Sequence, residues 1–375
     1  MKIIIIGSGI VGASAAYHLA KNNIDVIVVD KEHQGNATSA GAGIVCPWIS
    51  SVQDEDWYSI AKGGARFYPT LIAQLKEDGE HDVGYKKVGA LAVNSDTETL
   101  DEIERRASAK QKDAPEMGDI VRLNAAQTRE RFPLLNEDLE SVFVPGAARV
   151  DGRLLRNALK RAAQKHGAEM IKGEAKLLYH KTSVEGVEVN GEKLYADTVL
   201  IATGAWAPSL LAPLGIDLHV EPQRGQIAHI HLPNTDTSNW PVVLPQTSHY
   251  MLAFDDSRVV AGATRETGAG FDYRTTAGGV HEVTSEALHV APGLSDGTLQ
   301  EVRIGFRPMG PDVLPILGEM ETLNGVVLAT GLGASGLTMG PYVGTLAAAL
   351  TRGEDTGIDL SPYTPMRALS SDAKV

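Results

Sequence analysis

Residues 304–318 read IGFRPMGPDVLPILG. Arg307 stands there among Ile304, Phe306 and Met309. An arginine in apolar surroundings is stable only where something negative meets its guanidinium. Pro308 follows it and favours extended backbone at Arg307. Asp312 lies beyond the Gly310-Pro311 turn. A planar guanidinium held in this way suits two-point binding of a carboxylate. The alternative is a structural ion pair with an acid distant in sequence.

A second group of residues points to a nucleotide. IIIIGSGIVG sets Gly7, Ser8, Gly9, Ile10, Val11 and Gly12 between a strand-like run and a helix-like run. Gly7 permits the tight turn, Gly9 lets backbone approach a pyrophosphate, and Gly12 allows close helix–strand contact. The helix N-terminus offers free N–H groups and a positive dipole to phosphates. Asp30 ends the next strand pattern, DVIVVD, just before Lys31. A carboxylate there accepts hydrogen bonds from ribose hydroxyls.

This fingerprint serves NAD and FAD alike, so other segments decide. ATSAGAGI carries Thr38, Ser39, Ala42, Gly43 and Ile44. ATGAWAP carries Thr203, Gly204 and Trp206, and ATGLGASGLTMGP carries Gly333, Ala334, Ser335, Gly336, Leu337 and Thr338. Three small-residue loops, two of them following apolar strands, converge on one crevice of a doubly wound sheet. A flavin needs more backbone around it than a nicotinamide does.

Other reactive residues have plainer roles. Cys46, the single cysteine, excludes an intramolecular disulfide and reads as a small apolar residue near the crevice. Among 11 histidines, His229 and His231 share one face of a strand pattern, but no metal-ligand spacing occurs and no metal is expected. Tyr250, in SHYMLAF, is a strand aromatic, and His249 points to the opposite face.

These residues need a scaffold. KIIII, VGASAAYHLAKNN and DVIVVD form a first β-α-β unit, with Asn22-Asn23 ending the helix. Helices are expected over 55–77, 96–113 and 124–132, and RVDGRLLRNALKRAAQKHG is an amphipathic helix closed by Gly167. AEMIKG, TVLIATG and GVVLATG return as strands to the same sheet. Alternating patterns such as GQIAHIHL and SRVVAGAT dominate 223–310. The uncharged run 325–351 holds six glycines and Pro341, which makes a poor continuous helix. No integral membrane segment is expected. A net charge of −13 argues against nucleic acid and anionic membranes as main partners, and the composition fits a soluble protein of a reducing compartment, cytoplasmic in location.

Taken together, IIIIGSGIVGASAAYHLA, VVDKE, ATSAGAGI, VDGRLL, ATGAWAP, RGQIAHI, GFRPMGPDVLPILG and ATGLGASGLTMGP resemble the D-amino-acid oxidase family of flavoenzymes. The likeness runs from residue 3 to 341 and is strongest to the glycine oxidase and D-amino-acid dehydrogenase branch. It implies an α/β fold: a Rossmann-like FAD-binding domain with a mostly parallel sheet, and an α+β substrate domain built on an antiparallel sheet. The FAD-binding domain is expected over 1–82, 147–222 and 311–375, and the substrate domain over 83–146 and 223–310. The resemblance implies FAD, with Gly7, Gly9 and Gly12 at the pyrophosphate and Asp30 at the ribose. It implies Thr38, Ser39, Ala42, Gly43 and Ile44 along the ribityl chain and flavin ring. It sets the backbone near Lys176 at the adenine, and Gly333–Thr338 at the pyrimidine edge.

The resemblance also makes Arg307 the clamp for the substrate carboxylate and sets Tyr250 beside it. The implied reaction is hydride transfer from the α-carbon of a small amino or imino acid to flavin N5, followed by imine hydrolysis. The electron acceptor is oxygen or another molecule, and an oligomer is left open. Alternatives are a non-catalytic FAD subunit of an amine dehydrogenase complex and an NAD-linked dehydrogenase. One departure stands out: glycine oxidases carry a further arginine in the flavin loop, where this chain has Ala334-Ser335.

Family members with covalent flavin carry a cysteine in the C-terminal flavin loop, and GLGASGLTMG has none. The FAD is therefore expected to be non-covalent. Acid precipitation should leave yellow FAD in the supernatant; colour in the pellet would contradict this. Asp30→Ala should purify partly colourless and recover on adding FAD. Hydrogen bonds to a charged group contribute roughly 1.5–3 kcal/mol, so FAD affinity should fall about 10- to 150-fold by titration of the apoprotein.

Overall fold

The computed structural model describes residues 1–370; the last five residues of the expected segment 311–375 lie outside the described residues. The first strand, Lys2–Ile6, sits inside a six-stranded sheet. Asp25–Asp30 and Glu169–Lys172 extend the sheet on one side of it. Thr198–Ile201, Val326–Thr330 and Ile316–Glu319 extend it on the other. All neighbours are parallel except the edge strand Ile316–Glu319. Ile3 and Ile5 enter one apolar core while Ile4 and Ile6 enter another. This two-faced burial explains why KIIII is apolar throughout rather than alternating.

An eight-stranded sheet forms the second layer. Thr298–Met309 lies at its edge, followed by Glu221–His231, Arg258–Gly262 and Tyr250–Phe254. These four are antiparallel to their neighbours. Val242–Leu244, Ala90–Asn94, Glu140–Val144 and Val121–Leu123 complete the sheet. Its one parallel pairing joins Val242–Leu244 to Ala90–Asn94. The expected α/β architecture, with a mostly parallel sheet and a separate antiparallel one, is what the chain adopts.

The anticipated helices occur as Glu55–Glu77, Thr97–Gln111, Ala125–Arg131 and Gly152–Lys165. Asp151 caps the last of these by accepting from the backbone N–H of Arg153 and Leu154. Gly167 follows its end at φ +99°, a conformation that favours glycine.

The glycine-rich run near the C-terminus is, as expected, not one continuous helix. After the strand Val326–Thr330 it forms one helix, Gly336–Thr351, with Pro341 inside. Packing overrides propensity here. Gly340 and Gly344 let this helix lie against the first helix, Ile10–Lys21: an added Cβ would come within 2.6 Å of Ile10 at Gly340, and of Ser14 and Val11 at Gly344. The hydroxyl of Ser14 donates to the Pro341 carbonyl at 2.6 Å. Among the described residues no helix is long and apolar enough to cross a membrane.

Gly344→Ala should force the two helices apart. Overpacking of this kind typically costs about 1–3 kcal/mol, read as a lower Tm and a looser FAD. Gly278→Ala is the control, because its added methyl meets nothing within 4 Å; it should leave Tm unchanged or slightly raised.

Candidate active site

A cavity of about 1,060 Å³ opens along the C-terminal ends of the parallel strands and runs between the two sheets. At one end is the glycine turn. Gly7 has φ +97°, and a Cβ there would lie 2.5 Å from the Ala202 carbonyl oxygen. The following helix starts after Gly9 with no capping side chain of its own. Thr38 supplies one from a distance, its Oγ1 accepting from the Ile10 N–H at 3.0 Å. Asp30 accepts from the N–H and hydroxyl of Ser8 at 2.5 and 2.6 Å, and from the Glu32 N–H at 2.5 Å. The carboxylate thus pins the glycine turn as well as facing the cavity.

Gly7, Ser8, Gly9, Ile10, Val11, Asp30, Lys31, Thr38, Ala42, Gly43, Ile44, Lys176, Thr203, Gly204 and Trp206 all line this cavity, as do residues 333–338. Two anticipated residues do not. Gly12 is a packing residue, where a Cβ would lie 1.9 Å from the Gly7 carbonyl oxygen. Ser39 is not in the cavity wall: its hydroxyl accepts from Arg156, which does line the cavity, and its carbonyl accepts from Arg153. Thr38 and Ser39 are adjacent in the short helix Ala37–Ala40, so their side chains diverge, and of the two only Thr38 lines the cavity.

The walls suit a large nucleotide cofactor. Two helix N-termini lie in the cavity wall: the one after Gly9, where only the Ile10 N–H is taken up by Thr38, and the one after Ser335, which has no side-chain cap. The hydroxyl of Thr203 is buried in the wall with no hydrogen-bond partner. The loop at 333–338 is fastened from outside. Trp57 Nε1 donates to Ser335 Oγ at 3.1 Å, Thr338 donates to the Ile44 carbonyl at 2.9 Å, and the Tyr68 hydroxyl donates to the Leu337 carbonyl. Cys46 also lines the cavity, and burial pushes its thiol up to about 12, so it is an apolar lining residue at neutral pH. Among the described residues no cluster of metal ligands occurs.

Arg307 lies at the other end. In the edge strand Thr298–Met309 it pairs in register with Gln223. Its Nη1 donates to Gln223 Oε1 at 3.2 Å and to the Thr264 carbonyl at 3.0 Å. The guanidinium lies flat over Gly225, where a Cβ would approach to 2.9–3.0 Å. Tyr250 stands beside it, with its hydroxyl over Gly262. Burial pushes the Tyr250 phenol above its ordinary range, and the charge of Arg307 partly opposes that. The phenol is thus a neutral donor at physiological pH.

A third group was not anticipated from the sequence. Arg265 is exposed and lines the same cavity. Burial, and then the positive charge of Arg265, lower the pKa of Arg307, while the neighbouring Tyr250 acts the other way. Among the described residues no carboxylate lies within salt-bridge distance of either arginine. Its local signal is weak, because Arg265 reaches the site only through the pairing of Arg258–Gly262 with both Glu221–His231 and Tyr250–Phe254.

Residues 2–350 match the family of FAD dependent oxidoreductases known as DAO. The Bacillus subtilis (strain 168) oxidoreductase YurR is 52% identical over 98% of this chain and 99% of its own. The glycine oxidase of Geobacillus kaustophilus is 28% identical over 97% of this chain and 96% of its own. The solved iminodiacetate oxidase of Chelativorans sp. BNC1 superposes with a TM-score of 0.95 at 49% identity, covering 97% of this chain and 99% of that one. A cavity walled by a glycine turn, an acid-ended strand and the N-terminus of the helix Gly336–Thr351, in a chain matched over residues 2–350, makes this an FAD-dependent oxidoreductase of the DAO family.

Proposed function

We propose that the chain oxidises the carbon–nitrogen bond of a small carboxylate-bearing amine, with Arg307 as the carboxylate clamp. The observation that supports this is a guanidinium without an acid partner among the described residues, in the wall of the cofactor cavity beside Tyr250 and Arg265. FAD, when bound, supplies the acceptor for the hydrogen and electron pair that leave the α-carbon. The glycine turn and Asp30 would hold its adenosine diphosphate half, and residues 333–338 its flavin half.

Arg307 fixes the substrate carboxylate by two-point hydrogen bonding, and Gln223 and the Thr264 carbonyl fix Arg307. Tyr250, a neutral phenol, donates to the same carboxylate. Holding the acid end sets the α-carbon at one place in the cavity, and positioning alone supplies a large share of such rate enhancements. The amine reacts in its neutral form, since nitrogen must release its lone pair toward carbon as the hydride leaves. Water then hydrolyses the imine to an oxo acid and an amine.

Secondary amines bearing a carboxymethyl group, iminodiacetate among them, are the substrates we favour over glycine. The similarity to the Chelativorans enzyme supports this choice, as does the absence of an arginine at Ala334-Ser335.

Loss of one member of a desolvated charge pair typically costs roughly 2–5 kcal/mol. At about 1.4 kcal/mol per tenfold, Arg307→Leu should lower kcat/KM by roughly 30-fold to a few thousand-fold with FAD still bound. Lysine should rescue poorly, since it lacks the planar grip. Anaerobic stopped-flow reduction with iminodiacetate, sarcosine, glycine and an amine lacking a carboxylate measures this. Wild-type reduction of the leucine variant by the acids would overturn the clamp.

A further inference from the structure

The segment between the strand Arg258–Gly262 and the helix Ala277–Val290 has no regular structure, yet it is held tightly at both ends. Its anchor is Arg224, a buried arginine on the strand Glu221–His231. Arg224 donates through Nε and Nη2 to Glu266 Oε2 at 3.0 and 2.5 Å. Through Nη1 it meets the Asp272 carboxylate at 2.8 Å and the Asp272 carbonyl at 3.1 Å. Its backbone pairs with Glu266 in both directions, at 3.1 and 2.9 Å. Gln226, two residues on, holds Glu266 and Thr276 with hydrogen bonds of 2.7 and 2.9 Å from its Nε2.

This strap carries two things to the cavity. Arg265, beside the anchored Glu266, projects at the substrate end. Phe271, beside the anchored Asp272, stacks on Trp206 with ring centroids 4.8 Å apart and planes 16° from parallel. Arg265 itself has no hydrogen-bond or ion-pair partner among the described residues, so its side chain is placed only by its backbone. That backbone is placed by the contacts of its neighbours, Thr264 and Glu266. Thr264 is tied in turn: its Oγ1 accepts from the Gln226 N–H and donates to Glu266 Oε1, and its carbonyl accepts from Arg307.

We propose that Arg224 is a positioning residue for substrate binding: through Glu266 and Asp272 it holds the strap 264–276 so that Arg265 faces the carboxylate held by Arg307. The inference rests on the carboxylate reading of that site. Arg224 touches neither substrate nor cofactor, and acts only through where it sets Arg265. A buried arginine meeting two carboxylates resists local opening, because removing either partner leaves a buried charge unmatched. The strap is therefore held in one place before substrate arrives, and the ordering of Arg265 is not taken from the binding energy.

The test uses the FAD-loaded full chain and anaerobic flavin reduction at varied iminodiacetate, which separates substrate Kd from the limiting reduction rate. Arg224→Met should raise Kd about 10-fold or more, the scale of a lost charge-assisted hydrogen bond. The limiting rate should change by less than about twofold. Arg224→Lys should fall between. In an Arg265→Gln background, Arg224→Met should add nothing further. Additive effects would overturn the proposal, since Arg224 would then act by another route. Trypsin supplies a readout that needs no substrate: release of the strap should speed cleavage after Arg265 and Arg274. Faster cleavage with an unchanged Kd would also overturn it. Should Arg224→Met fail to fold, Glu266→Gln cuts the same tie from the strap side and must give the same rise in Kd and the same non-additivity. Failure of the clamp shows instead as Arg307→Leu reducing normally, whatever Arg224 does.

Discussion

An arginine held in a cavity wall, with no carboxylate opposite it among the described residues, is the constraint on which that end of the cavity depends. Desolvating a charge costs several kcal/mol unless it is matched. Arg307 is only partly matched, by the Gln223 amide oxygen and the Thr264 carbonyl, both neutral acceptors. The rest of the site is arranged around tolerating that. Gly225 gives the guanidinium a flat place to lie, and Gly262 makes room for the Tyr250 hydroxyl beside it. A site that accepts this cost without an anion recovers it when one binds, which is why a partly desolvated charge without an acid partner is a candidate binding group.

The same economy of side chains builds the cofactor end. Gly305, on the arginine's own strand, would drive a Cβ to 2.7 Å from Ala40 Cβ. Gly35 passes under Phe306, where a Cβ would come to 2.3 Å from the ring. Strand Thr298–Met309 can therefore touch the short helix Ala37–Ala40 only because both faces are small. That contact ties the strand of Arg307 to Thr38, which caps the helix of the glycine turn. Glycine turn, small-residue helix and arginine strand form one continuous chain of close contacts, so the distance between the glycine turn and Arg307 is set by packing rather than by any flexible link.

Sequence legibility followed how local each signal is. The glycine turn and Asp30 lie within one β-α-β unit, and every contact that defines them spans fewer than 30 residues apart from the Ala202 approach. Arg307 was legible through Pro308 and its apolar neighbours. Arg265 was not, because what puts it beside Arg307 is the pairing of three strands distant in sequence. Thr38 and Ser39 differ in a way that ATSA does not show: Thr38 reaches the Ile10 N–H of the glycine turn, while Ser39 accepts from Arg156. The helix containing Pro341 forms despite a low intrinsic propensity, because propensity ignores packing partners. Its glycines weaken an isolated helix and are what allow this one to pack on Ile10–Lys21.

Charge placement links these points. The chain carries a net charge of −13, yet its cavity presents two guanidiniums without acid partners among the described residues. Arg265 is exposed while Arg307 is half-buried, its exposure being to the cavity it lines. On the proposed reading, an incoming carboxylate would meet a solvated cation first and a desolvated one second. Low-dielectric walls concentrate the field of both along the cavity axis, whereas the distributed surface acids are screened beyond about 8–10 Å at physiological salt. The surface charge and the site charge thus act over different ranges. A small anion feels the arginines once inside the cavity mouth, while a large polyanion, which must engage many surface charges at once, is repelled by the remainder of the surface. The proposed preference for a small acid over a macromolecular one would in this way follow from where the positive charges sit, and not from how many there are.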